Sequence, residues 1–265
     1  MFEKLKLWFE IYNESKAAAV PKYLSGKKSD AELNDIRREK QTKQGFIEVM
    51  DVTLVDSMGS DLSVVNAARV SFAKVHDNFD DDKDTKLINY LAKHNHWSPF
   101  GHASLQFHIK APVFVARQLV KHQIGLTWNE VSRRYVDDEP TFYYPLIWRG
   151  KADDKKQGSS NVEIDINPAG ASGPAMVDVY KQAMQQCKWT YEELLRKGVC
   201  PEQARMVLPQ SMMTEWYWSG TLYAFARVCN LRCKPDAQVE TQMIADQIDK
   251  LSSDMFPVSW EALRS

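Results

Sequence analysis

Between His102 and Lys110 apolar and polar side chains alternate, Ala103, Leu105, Phe107 and Ile109 against Ser104, Gln106, His108 and Lys110. A period of two sends successive side chains to opposite faces, so the stretch predicts a half-buried strand. Pro112 then suits the first turn of a helix, where its missing N–H would have no partner, and Val113 to His122 continues with good helix formers. Beyond Gly125, Asn129 to Val136 reads as extended, turning Glu130, Ser132 and Arg134 to one side and Val131, Arg133 and Tyr135 to the other. A carboxylate, a hydroxyl and a guanidinium on one side suit an anionic ligand. Arginine clamps phosphate with two parallel bonds, serine donates one more, and glutamate accepts from an N–H or O–H.

Strands and helices alternate along the rest of the chain. Phe2, Leu5, Trp8, Phe9 and Tyr12 recur at three- and four-residue intervals and predict an amphipathic helix. Ser29 to Glu32 has capping-box spacing and opens a charged helix over Ala31 to Lys43. Residues 1–44 are therefore read as a helical extension and 45–265 as the main domain. That domain begins with a strand over Phe46 to Val55, a helix over Asp61 to Phe72, an acidic loop from His76 to Asp84 and a helix around Lys86 to Lys93. From Trp148 to Pro174 the composition turns to Gly, Ser, Asp, Lys and Pro around Val162 to Ile166, a loop insertion near 148–174 with room for a small strand. Ala175 to Arg196 predicts a long helix burying Val177, Tyr180, Met184, Trp189, Leu194 and Leu195, with Gly198 as its stop. A short helix over Pro201 to Val207 carries Arg205, and Met212 to Trp218 is a strand. Thr221 to Leu231 is a helix with the stripe Leu222, Phe225, Ala226 and Cys229, and Asp236 to Met255 is the last long helix.

Charge excludes some function classes. Lys plus Arg number 34 against 35 acids, so no global positive field is present to hold nucleic acid or an anionic membrane. The opening MFEKLKLWFE mixes charges into its apolar residues and forms neither a signal-peptide core nor a membrane span. Cys187, Cys200, Cys229 and Cys233 show no CxxC spacing, which fits a reducing cytoplasm. Cys229 and Cys233 can share a helix face and are read as buried thiols in preference to a metal pair or a nucleophile.

Five of the six histidines fall between residues 94 and 135. In that block stand His96-Trp97-Ser98-Pro99-Phe100-Gly101-His102, then Lys110-Ala111-Pro112-Val113-Phe114-Val115-Ala116-Arg117-Gln118, then Lys121-His122-Gln123 and Ser132-Arg133-Arg134-Tyr135. Outside it stand Ala67-Ala68-Arg69-Val70-Ser71-Phe72, Asn230-Leu231-Arg232 and Ala237-Gln238. In these motifs and their order the chain resembles the flavin-dependent thymidylate synthases. The resemblance implies an α/β, thymidylate synthase-complementing fold, with a mixed, largely antiparallel sheet flanked by helices. It also implies a homotetramer whose active sites draw on more than one chain. The implied reaction is reductive methylation of dUMP to dTMP, with 5,10-methylenetetrahydrofolate supplying the carbon and FAD, reduced by NADPH, supplying the hydride.

Carried onto this chain, the resemblance makes Arg232 the catalytic arginine, polarising and anchoring dUMP together with Arg134 and Arg205. Gln118, Glu130, Ser132 and Arg133 join them around the substrate. Ser71, His96, Ser98, Lys121, His122, Gln123, Asn129, Glu130, Thr221 and Arg227 match flavin-contacting positions. Lys121 and Gln123 replace two signature arginines, one extra residue separates Gln123 from Ser132, and Thr221, Tyr223 and Arg227 stand where Asn, Arg and Asn align. Arg227 and Arg117 are expected to restore the missing charge.

Read without the resemblance, the same residues have plainer roles. Arg232 is a cation at a helix end, Arg205 a surface arginine, Gln118 a helix-surface amide, and Glu130 a solvated carboxylate. His94 and His108 cap turns or bind backbone. His96, His102, His108 and His122 raise a metal-dependent nucleotide hydrolase as an alternative, against which HExxH spacing and a third, carboxylate ligand are missing. The substituted arginines raise a non-catalytic nucleotide-binding relative as another. Neither GxGxxG nor GxxxxGK[ST] is present.

Overall fold

The computed structural model describes residues 50–136, 138–152, 159–167 and 173–265. The two N-terminal helices, the start of the first strand at Phe46 and parts of the insertion, 153–158 and 168–172, lie outside the described residues. Along the chain the strands are β1 (Asp51–Met58), β2 (Ser104–Pro112), β3 (Leu126–Glu130), β4 (Arg149–Lys151), β5 (Ser159–Glu163) and β6 (Met213–Thr221). One four-stranded sheet has the order β1-β2-β6-β3, and all its pairings are antiparallel.

The alternation in β2 decides which face becomes core. Leu105, Phe107 and Ile109 are fully buried. On the opposite face Gln106 donates to Ser219 Oγ at 2.8 Å, and His108 Nε2 lies 3.0 Å from Glu215 Oε2. His108 is thus a cross-strand partner of a carboxylate, and not the turn cap or backbone ligand expected. On the inner face Trp128 of β3 stacks on Trp216 at 4.4 Å, and Phe225 meets Phe107 and Trp218 edge-on at 5.0 and 5.3 Å. Burial of each such ring contributes roughly 1.5–3 kcal/mol.

The helices are α1 (Asp61–Arg69), α2 (Asp81–Lys93), α3 (Val113–Leu119), α4 (Met176–Arg196), α5 (Pro201–Ala204), α6 (Leu222–Arg232), α7 (Val239–Met255) and α8 (Pro257–Arg264). α6 and α7 pack on each other and against the sheet. Within α6 the expected stripe of Leu222, Phe225, Ala226 and Cys229 is buried.

Elsewhere the local chemistry moved boundaries. α2 begins five residues before Lys86, because Asp80 accepts from Lys83 N at 3.0 Å and acids fill the first turn. Pro112 ends β2 with ψ 152 and is the N-cap of α3, one position before the expected first turn, and α3 stops at Leu119. In α4 Trp189 is 58% exposed while Tyr191 is fully buried, since Tyr191 follows Met184 by seven residues and shares its face. α8 was not anticipated. Pro257 opens it, and Asp61 of α1 caps it by accepting from Val258 N at 3.1 Å and Ser259 N at 2.8 Å. Within the insertion, β4 and β5 pair as a hairpin, and Arg149 holds it to α7 through both Glu240 oxygens at 2.8 and 2.9 Å.

β3 is shorter than expected. Val131 N makes a last bond to Glu215 O at 2.9 Å, after which Ser132 Oγ accepts from Arg134 N at 3.3 Å and Arg134 Nε at 3.2 Å. A side-chain oxygen competing for nearby donors turns the chain here. Glu130, Ser132 and Arg134 therefore do not line one strand face.

Candidate active site

The turn after α3 is held by close packing. Gly125 has φ +76, a region that favours glycine, and its carbonyl accepts from Thr221 N at 3.1 Å. A β-carbon on Gly220 would stand 2.4 Å from Leu126 Cδ2 and 2.5 Å from Gly125 O. Thr221 Oγ1 accepts from Ala224 N at 3.2 Å, so this expected flavin contact is also the N-cap of α6. The result is that Gly125 lies against the start of α6, while His122 reaches its far end. Arg232 Nε donates to His122 Nε2 at 3.0 Å across 110 positions of sequence.

This bond fixes the state of His122. An Nε2 that accepts leaves the proton on Nδ1 of a neutral imidazole. Burial, then the charge of Arg232, then that of Arg227 lower its pKa from the ordinary 6.5. A lowered folded value means that the unfolded chain takes up the proton first. The stability contributed is complete above 6.5 and is lost as pH falls from there through the lower folded value. Thermal unfolding followed between pH 8 and 5 should show a loss of Tm below about 6.5 that His122→Gln reduces; identical slopes in the two proteins would contradict the assignment.

Gln118 stands one turn before His122, and its Oε1 is buried with no hydrogen-bond partner among the described residues. A buried acceptor left unpaired is costly, so it marks a place for a donor from a ligand. Lys121, Gln123 and Arg227 are exposed, as is Asn129 next to Glu130 on β3.

Two further segments present the other expected flavin contacts. Ser71 is exposed on the 3-10 turn Val70–Phe72, which ends in left-handed Ala73 at φ +52. That turn is braced from behind: Arg69 donates to fully buried Asp84 at 2.5 Å, Arg69 Nη1 lies 2.9 Å from His76 Nδ1, and Asn66 exchanges two hydrogen bonds with the His76 backbone. Asp84 was missed from the sequence, where it is one acid in an acidic run. His96 and Ser98 are exposed at the start of the 3-10 turn Ser98–His102, and Trp97 lies 6.2 Å from Tyr223 of α6, ring to ring.

The remaining candidates gather at the other end of β3. Leu126 pairs with Gly220 and Glu130 with Trp216, a separation of about 13 Å along the strand. Glu130 accepts from Thr214 Oγ1 at 2.9 Å and Trp128 Nε1 at 3.3 Å, which fixes the carboxylate. Beyond it Arg134 lies over the Tyr135 ring at 4.8 Å. Arg133 is turned to Asp138, donating to its backbone oxygen at 2.5 Å and to Oδ1 at 2.8 Å, so the structure does not bring it to Ser132 and Arg134. Arg205 is exposed on a 3-10 turn, Arg205–Val207, ahead of β6. The candidate residues thus fall into two groups on the chain: His122, Arg232 and Gln118 in one, Glu130, Ser132 and Arg134 in the other.

Residues 53–258 match the family described as "Thymidylate synthase complementing protein". A protein of Kosmotoga olearia named flavin-dependent thymidylate synthase is 38% identical over 223 residues, covering 84% of this chain and 91% of its own. One of the same name from Thermus thermophilus is 37% identical over 219 residues, 82% of this chain and 77% of its own. One from Ehrlichia ruminantium is 33% identical over 264 residues, 98% of this chain and 81% of its own, so its alignment runs into the N-terminal extension. The crystal structure of the UMP/dUMP methylase PolB from Streptomyces cacaoi, bound with 5-Br dUMP, matches with a TM-score of 0.69 at 32% identity, over 82% of this chain and 95% of its own.

Proposed function

The chain belongs to the thymidylate synthase complementing protein family, that of the flavin-dependent thymidylate synthases, and from that membership we propose that it converts dUMP to dTMP by reductive methylation. The observation that carries this reading is Arg232, held by neutral His122, one turn of chain from the unpaired Gln118 Oε1. A uracil ring has the complementary groups: its imide N–H satisfies Gln118 Oε1, and its carbonyl oxygens accept from a guanidinium that polarises the ring. Arg134 and Arg205 anchor the phosphate, for which guanidinium geometry is suited, and Ser132 and the fixed Glu130 complete the hydrogen bonding.

The residues present also fit a flavin. The exposed Trp97 and its neighbour Tyr223 offer a surface for a planar ring, and exposed Lys121 and Arg227 offer charge for a pyrophosphate. On family membership, Ser71, His96, Ser98, Gln123, Asn129 and Thr221 are assigned the remaining flavin contacts. Bound FAD, reduced by NADPH, supplies the hydride, and 5,10-methylenetetrahydrofolate supplies the carbon; the protein positions the partners and excludes water.

The two groups meet across a subunit boundary in a homotetramer. In support, Phe72, Ile124 and Tyr135 are 75–77% exposed beside the candidate residues, and large apolar groups of this kind mark surfaces that another chain covers. Free thiols fit action in the cytoplasm, and no helix among the described residues is long and apolar enough to cross a membrane.

The assay is release of the C5 hydrogen of dUMP with methylenetetrahydrofolate present. Release that needs both NADPH and FAD is expected. A protein that binds dUMP but never releases the hydrogen is a binding relative and not a synthase.

A further inference from the structure

We propose that Cys229, Cys233 and Asp249 form a binding site for a soft divalent cation, zinc by preference, where α6, α7 and α8 meet. The thiol sulfurs and a carboxylate oxygen all lie within 4.8 Å of one another. Cys229 and Cys233 stand one turn apart on the same face at the end of α6, and Asp249 comes from α7. Two thiolates and a carboxylate are a donor set that thiophilic metals accept, with sulfur at about 2.3 Å and oxygen at about 2.0–2.2 Å from the metal. In the metal-free protein the Cys229 thiol donates to the Ala245 carbonyl at 3.6 Å, a bond given up when the thiol ionises.

The surroundings fit as well as the ligands. Asp249 is oriented from outside: Trp260 Nε1 donates to its Oδ1 at 2.9 Å and Arg264 Nε at 2.7 Å, and both bonds fall on Oδ1, so Oδ2 keeps its lone pairs. Partners of this kind fix a ligating carboxylate and tune its metal. Charge is conserved on binding. Each thiol gives up its proton to solvent as one sulfur–metal bond forms, so two protons leave as one divalent cation enters. The net charge of the buried cluster, including the Asp249–Arg264 pair, does not change. Burial, with Cys233 and Asp249 nearby and Arg264 opposing them, holds the free Cys229 thiol well above its ordinary pKa. A disulfide is the poorer outcome for this pair: β-carbons one helical turn apart are about 5–6 Å from each other, against roughly 3.5–4.5 Å in a disulfide. Cys233 and Asp249 are half-buried and give the ion its path to Cys229.

The site predicts a signature that no other part of the proposed chemistry produces. Untagged full-length protein, reduced and titrated with cobalt(II) alone, should bind one equivalent with a thiolate-to-cobalt charge-transfer band that zinc displaces. The band should persist in the Cys187→Ser/Cys200→Ser protein and vanish in Cys233→Ala. Asp249→Asn, which still accepts from Trp260, should bind cobalt at least tenfold more weakly. No charge-transfer band in the parent protein, a band untouched by Cys233→Ala, loss of the band with Cys187 and Cys200, or undiminished affinity in Asp249→Asn would each overturn the site. None of these readouts depends on dUMP turnover.

Discussion

Arg232→Ala is expected to weaken dUMP binding by roughly 10- to 100-fold, because a hydrogen bond involving a charged partner is worth about 1.5–3 kcal/mol. FAD retention should change little, since the proposed flavin surface of Trp97, Tyr223, Lys121 and Arg227 does not include Arg232. Isothermal titration with dUMP and the flavin spectrum of the same preparation separate the two effects. A structural arginine at a helix end would move neither in this way, and its loss would show only in thermal stability. The variant carries an internal check: with the neighbouring guanidinium gone, His122 should titrate closer to 6.5, which NMR can follow. Unaltered dUMP affinity would remove Arg232 from the substrate site.

Arg69→Ala is expected to give the largest loss of stability, about 3–5 kcal/mol, because it leaves the fully buried Asp84 carboxylate without its counter-ion. In a chain of this size that is a fall in Tm of roughly 10 °C. Burial alone would raise the Asp84 pKa, but the Arg69 hydrogen bond, the Asp80 amide and the Arg69 charge together hold it below the ordinary 3.8. The pair's contribution is therefore complete above pH 3.8 and is lost as pH falls through the lower folded value. Arg69→Met combined with Asp84→Leu should recover much of the loss, since replacing both partners by apolar groups avoids the unpaired charge. A single variant as stable as the parent protein would show that the brace behind Ser71 is not needed for folding.

What could be read from the sequence was what repeats locally. The period of two in β2 and the stripe of α6 showed directly which side chains face the core, because burial on one side imposes the pattern. Gly198 marked the end of α4, and it has φ +84. The end of β3 was hidden. Val131 to Tyr135 has strand composition, and only the capture of Arg134 by Ser132 Oγ turns it away. α8 was hidden behind Pro257, whose helix is capped from a residue 197 positions earlier.

The site shows the same division. The motifs named Arg232 and His122, but nothing in 110 residues of intervening sequence says that one donates to the other. The Arg69–Asp84 pair and the grouping of Asp249 with two cysteines also arise only when helices distant in sequence pack together. Arg133 was the reverse case. Its place inside the motif suggested a ligand contact, while Asp138, five residues on, holds it instead.

The most direct test of the account is activity in mixed oligomers. Arg134→Ala and Arg232→Ala proteins, each inactive alone, are to be co-expressed with different tags, isolated as hybrids and assayed for NADPH-dependent release of the dUMP C5 hydrogen. In the proposed arrangement the two arginines come from different chains, so hybrids should rebuild some intact sites and recover activity far above the sum of the two parents. Folded hybrids that bind FAD and stay inactive would contradict a dUMP site shared between chains.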